Sequence, residues 1–168
     1  MSWLMKYPVA ALAFLIPAIA VAASGPVGLG SNGGKFGDWT AASYGSGGAK
    51  ICYAFTDAQS STPSWKSRGT VMLTVTERAG TRDEVTLAAG YTYPPKPSVK
   101  LSVGAQSIDF YTQGGTAFTT SGAAAIAAFK TGNTAEAVST GPHGHPVTDD
   151  FSLAGFSDAY DAIVKACP

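Results

Sequence analysis

Charge is scarce in this sequence, and what there is does not cluster. Only 13% of its 168 residues are Asp, Glu, Lys or Arg, with 11 basic against 11 acidic side chains, and no run of Lys or Arg occurs. Nucleic acids and anionic membrane surfaces are bound through clustered positive charge, so both are excluded as partners. Histidine is confined to His143 and His145, and cysteine to Cys52 and Cys167. A G-x-S-x-G nucleophile elbow is absent. The Gly45–Lys50 segment, GSGGAK, has glycines and a lysine, but no glycine precedes Lys50 and no Ser or Thr follows it, so it reads as a hairpin turn rather than a phosphate loop. With the usual catalytic sets missing, the expectation is a protein that is not an enzyme and holds no cofactor.

The one long apolar run lies at the start. Lys6 precedes a largely apolar stretch from Tyr7 to Ala20, and Ala20-Val21-Ala22 supplies the small-x-small pattern that signal peptidase accepts. The stretch is shorter than the ~20 residues of a spanning helix. Residues 1–22 are therefore predicted to be a signal peptide cleaved after Ala22, which leaves a periplasmic or secreted protein with no membrane span. Loss of Lys6 brings the net charge to −1. A mature chain of ~145 residues suits one domain and buries roughly two thirds of its unfolded surface. Both cysteines lie in that mature part, and an oxidising compartment favours a Cys52–Cys167 disulfide over two buried thiols.

Residues 23–35, ASGPVGLGSNGGK, offer little to bury and read as a flexible lead-in, with the folded domain spanning 36–168. Strands are predicted at 36–43, 50–55, 69–77, 83–89, 98–103, 107–112 and 116–119. The period-two signal is clearest at Val71, Leu73 and Val75, and again at Val99, Leu101 and Val103. Gly104-Ala105 and Gly114-Gly115 mark tight hairpins. Two short helices are predicted, 122–130 with Ser121 as N-cap and 157–166 with Phe156, Ala159, Tyr160 and Ile163 on one stripe and an Asp161–Lys165 pair. Cys167 follows Ile163 by four residues and falls on the same side. The fold class is mainly β: a compact antiparallel β-sandwich-like domain with two short helices, one at the C-terminus.

Trp39 is expected to fill the core, while Trp65, in a Ser/Pro-rich loop, is expected to be exposed. Tyr91 and Tyr93 open a proline-stiffened loop, Tyr91–Pro97, and with Trp65 they are the candidate binding residues, because aromatics are enriched at interfaces. His143, His145 and Asp149 or Asp150 are weak candidates for a metal site; a Gly/Pro-rich loop does not fix ligand geometry, and a solvated loop is the preferred reading. The neighbouring acids Asp83/Glu84 and Asp149/Asp150 read as surface charge, since adjacent strand residues point to opposite faces.

Four segments, FGDWT (36–40), KICYA (50–54), GTVMLTVT (69–76) and FSLAGFSDAYDAI (151–163), resemble the invasion-associated locus B family of bacterial exported proteins. The likeness covers nearly the whole mature chain, and its most specific parts are the G-D-W opening and the closing S-L-x-G-F-x-x-A-Y-D-A. It implies a compact β domain in the periplasm or at the cell surface, founding members linked to host-cell invasion, and no known enzymatic activity or catalytic residues. Members often carry a cysteine soon after the G-D-W tryptophan; here Thr40–Tyr44 has none. The expected function is non-enzymatic binding of a protein or of an envelope or host-surface component, in host-cell interaction or envelope maintenance, by a monomer. The alternatives are a metal-binding protein or enzyme using the histidine loop, and a structural envelope protein.

Overall fold

The computed structural model describes residues 25–168; the predicted signal peptide, 1–22, lies outside the described residues. The elements run β1 (Val27–Gly28), β2 (Lys35–Phe36), β3 (Trp39–Tyr44), β4 (Ile51–Asp57), β5 (Ser60–Thr62), β6 (Met72–Arg78), β7 (Thr81–Ala88), β8 (Val99–Val103), β9 (Gln106–Gln113), β10 (Thr116–Phe118), α1 (Gly122–Thr131), β11 (Thr134–Thr140), β12 (Pro146–Ser152) and α2 (Phe156–Ala166). The seven predicted strands and both helices are present, and the class is mainly β as expected. Among the described residues, no helix is long and apolar enough to cross a membrane.

The strands form one antiparallel ladder in the order β1-β3-β4-β6-β7-β10-β9-β8-β11-β12-β5, with β2 paired to β3. Gly104-Ala105 and Gly114-Gly115 are the two-residue turns between Val103↔Gln106 and Gln113↔Thr116. The first glycine of each has positive φ, which such turns need and a side chain resists. The ladder cannot be flat. β4 lies near one end and β5 at the other, yet only Ala58 and Gln59 separate them, a connection that reaches at most about 11 Å. The sheet therefore curls until its ends meet, and the join is made by Ala58 N donating to Val71 O at 2.9 Å and Gln59 N donating to Asp150 O at 2.8 Å.

Curling encloses one face of each strand, and alternation decides which residues go inside. Leu73, Val75, Val85, Leu87, Leu101 and Phe151 are fully buried. Trp39 fills the core as expected, its indole nitrogen donating to Ser152 O at 3.0 Å. α2 closes the enclosed space by burying Phe156, Ala159 and Ile163. The Phe156 ring packs edge-on to Trp39 at 4.8 Å and to Phe129 of α1 at 5.2 Å. The chain enters α2 through Gly155, at φ +88°, where a Cβ would lie 2.0 Å from Phe36 O; only glycine fits there. Cys52 of β4 and Cys167 are joined by a disulfide, with Cα atoms 5.9 Å apart and a sequence separation of 115.

Several local expectations are corrected. The glycine-rich segment read as a flexible lead-in carries β1 and β2, both paired to β3, with Ala41 N donating to Gly34 O at 2.7 Å; backbone pairing does not need side chains to bury. β5, β11 and β12 were not predicted. Ser121 makes no side-chain cap on α1. Asp161 stands 3.6 Å from Lys130 of the neighbouring helix, a charge pair across helices in place of the predicted one with Lys165.

Candidate functional site

The β11–β12 hairpin ends in a turn over Gly141–His145, where Gly141 N donates to His145 O at 2.8 Å. Pro142 and Pro146 stiffen it, and it leaves both histidines exposed. The segment that leaves β5, Pro63–Trp65, faces this turn. Between them is a concave cleft of about 400 Å³, walled by Pro63, Ser64 and Trp65 on one side and by Pro142, His143, His145, Pro146 and Val147 on the other. No Asp, Glu, Lys or Arg side chain lines it. The structure thus brings together two features that the sequence keeps far apart, the loop tryptophan and the histidine turn.

Behind the half-buried Trp65 stands an ordered aromatic and ionic stack. Its ring lies 5.8 Å from that of Tyr91, which in turn packs at 5.3 Å against Tyr93. The Arg68 guanidinium carbon lies 4.9 Å from the Trp65 centroid and 5.3 Å from that of Tyr91, distances at which a cation is attracted by the ring faces. Each guanidinium nitrogen is used. Nε donates to Ala89 O at 2.9 Å, and Nη1 and Nη2 donate to the two oxygens of Asp149, each at 2.7 Å. Ser61 Oγ donates to the same carboxylate at 2.7 Å. The pair is nearly dry, with side-chain exposures of 5% and 1%; burial of two charges is tolerable because both carboxylate oxygens and all three guanidinium nitrogens are hydrogen-bonded.

Three candidate residues are placed otherwise than expected: Trp65 is half-buried rather than exposed, and Tyr93 and Asp149 are buried. Tyr93 is buried, so it backs the stack and offers no contact surface. Burial pushes its phenol up to about 12, and burial likewise raises Tyr91, whose Oη donates to Thr140 O at 3.2 Å. Asp149 is neither surface charge nor a partner for the histidines. It points inward from β12 and is saturated by Arg68 and Ser61, while Asp150 on the other face accepts from Ser60. Among the described residues, no group of three or more His, Cys, Asp or Glu side chains is placed to hold a metal ion.

A curled sheet with a C-terminal helical plug and this cleft at its rim can be set beside known proteins. The sequence model of the Invasion associated locus B (IalB) protein family matches residues 39–164. The chain belongs to this family. A crystal structure of invasion associated protein b from Bartonella henselae has the same fold, with a TM-score of 0.59 and 18% identity over 79% of this chain and 95% of that one. None of the curated proteins matches the chain.

This IalB-family chain also contains a second buried acidic group that the sequence does not signal. Glu77 of β6 is fully buried, and burial raises its carboxyl above the usual range. Its Oε1 accepts from Asp83 N at 3.0 Å, and Arg82 Nε stands 2.7 Å from its Oε2 as a charge contact without hydrogen-bond alignment. Asp83 accepts from Tyr160 Oη of α2 at 2.6 Å, while Glu84, on the other face, pairs with Arg78 at 2.7 Å. Asp83 is thus a sheet-to-helix link rather than free surface charge. Arg82 also donates to Cys167 O, and Lys50 Nζ donates to Ala166 O at 2.8 Å, so this cluster serves the disulfide-bearing end of α2, remote in sequence from the cleft residues.

Proposed function

We propose that this IalB-family protein is exported and acts without catalysis, by binding a protein or an envelope or host-surface component through the Trp65 cleft. The observation that carries this reading is the cleft itself. It is concave, uncharged and walled by a tryptophan and rigid proline-flanked turns, which is the character of a preformed recognition pocket. Tryptophans so placed tend to dominate binding energy. The name of the Bartonella henselae protein, invasion associated protein b, supports host contact as the setting, and the signal-like residues 1–22 support export.

The test is retention of purified protein on isolated outer envelopes and on host cells, comparing the natural chain with Trp65→Ala and with His143→Ala/His145→Ala. A tryptophan at the centre of a contact is expected to be worth ~2 kcal/mol or more, about a thirty-fold loss of affinity. Equal retention of Trp65→Ala and the natural protein on both surfaces would remove the cleft as the site. Intact mass of the periplasmic protein checks export, a chain beginning at Ala23 being the expected result.

A further inference from the structure

We infer that the buried Arg68–Asp149 pair is a positioning device, which holds the Trp65 indole in place as the wall of the cleft. The inference rests on the reading of Trp65 as the contact residue. Trp65 sits in a stretch of chain between β5 and β6 that belongs to no strand. Its neighbours Ser64, Lys66 and Ser67 are exposed, so little around it in sequence can fix a large ring. What does so is the turn Trp65–Arg68, closed by Arg68 N donating to Trp65 O at 3.2 Å. Whatever immobilises Arg68 immobilises Trp65.

Arg68 is anchored to three separate strands: to the end of β7 through Ala89 O, to β12 through Asp149, and through Asp149 to Ser61 of β5. A buried ion pair is a poor choice if stability is the only gain, because well-packed apolar residues of similar volume often do as well or better. What the pair supplies and an apolar contact does not is direction. A bidentate fork on a carboxylate fixes the plane of the guanidinium, and that fixed plane meets Trp65 at 4.9 Å and Tyr91 at 5.3 Å. Asp149 thereby sets, from the core, the orientation of a ring at the rim. Lysine at 68 would keep the charge and lose the plane.

The test uses the exported chain, beginning at Ala23 and labelled with 5-fluorotryptophan, whose two fluorine resonances, from Trp39 and Trp65, are assigned by single Phe substitutions. In Arg68→Lys and Asp149→Asn the Trp65 resonance is expected to move toward its solvent-exposed position. The held and released forms should shift by about five-fold, which is ~1 kcal/mol at 1.4 kcal/mol per tenfold. The buried Trp39 resonance should stay where it is, a split that general loosening of the fold would not produce. Trp65 unmoved in either variant, with Trp39 at its native position, overturns the inference. Should neither variant fold, the natural protein decides: a slowly exchanging Arg68 Nε proton with cross-peaks to the Trp65 ring supports the device, and rapid exchange without such cross-peaks overturns it. None of these readouts involves a ligand, so loss of the binding reading through Trp65→Ala and loss of the positioning role are separate results.

Discussion

Tyr93 is buried with its ring packed against that of Tyr91, the centroids 5.3 Å apart. Its phenol oxygen and the Ser139 hydroxyl are both buried, and neither meets hydrogen-bond geometry with a partner among the described residues. Ser139 is near enough to favour the phenolate slightly, but burial outweighs it and lifts Tyr93 from 10.0 to about 12. In that window the unfolded chain gives up the proton while the folded chain keeps it. The stability this group contributes is complete below pH 10 and is lost as pH rises through about 12. Tyr93→Phe removes the titration. At neutral pH it should cost less than ~1 kcal/mol, since an unpartnered buried hydroxyl contributes little, and its urea midpoint should fall less steeply from pH 9 to 11 than that of the natural protein. Burial also raises Tyr91 and Tyr160, so some alkaline slope should remain. Parallel profiles for the two proteins would show that Tyr93 is hydrated.

Among elements, α2 depends most on contacts distant in sequence. It has an apolar stripe of Phe156, Ala159 and Ile163, and the disulfide, Lys50 and Arg82 hold its far end. Closing a loop of 115 residues corresponds to on the order of 4–5 kcal/mol in chain-entropy terms. Cys52→Ser/Cys167→Ser is expected to lower the unfolding free energy by roughly that amount, and in denaturation monitored by circular dichroism the natural protein under reduction should match it. A loss below ~1 kcal/mol would mean that packing of the stripe alone secures the helix. The stripe and both cysteines were legible because helical spacing and export chemistry are local or global signals. β11 and β12 were not, and the reason is visible in them: their inward positions are Ala135, Ala137 and Ser139, and Val147, Asp149 and Phe151. Small, hydroxyl and acidic residues facing inward, with Val138 facing out, erase the alternation that betrays a strand. The cleft was half legible for the same reason. Trp65 and the histidine turn stand out in the sequence, but nothing around Arg68 announces that its partner lies 81 residues away in a core position.

For the whole molecule, the ladder order makes closure a long-range event. β5 leaves β4 after two residues, yet its partner β12 pairs Thr148, Asp149 and Asp150 with Thr62, Ser61 and Ser60, and β6, β7, β10, β9, β8 and β11 stand between β4 and β12 in the sheet. The seam pairs residues about 90 positions apart in sequence, and antiparallel folds dominated by such distant pairings fold in milliseconds to seconds. Trp39, packed between the sheet and α2, and Trp65, at the seam, report on different stages of that process. In refolding from urea with the disulfide intact, a Trp65→Phe variant lets Trp39 report the packing of core and plug, and a Trp39→Phe variant lets Trp65 report the seam. If closure is cooperative with the core, the two signals share one rate constant, as two-state folding of a domain this size requires. Reduction should slow both together by lengthening the loop that must close before α2 docks. A Trp65 phase distinctly slower than that of Trp39 would show instead that the seam, with its Arg68–Asp149 pair, assembles on an already formed sheet, and the cleft would then be the least stable part of the fold and the first to open.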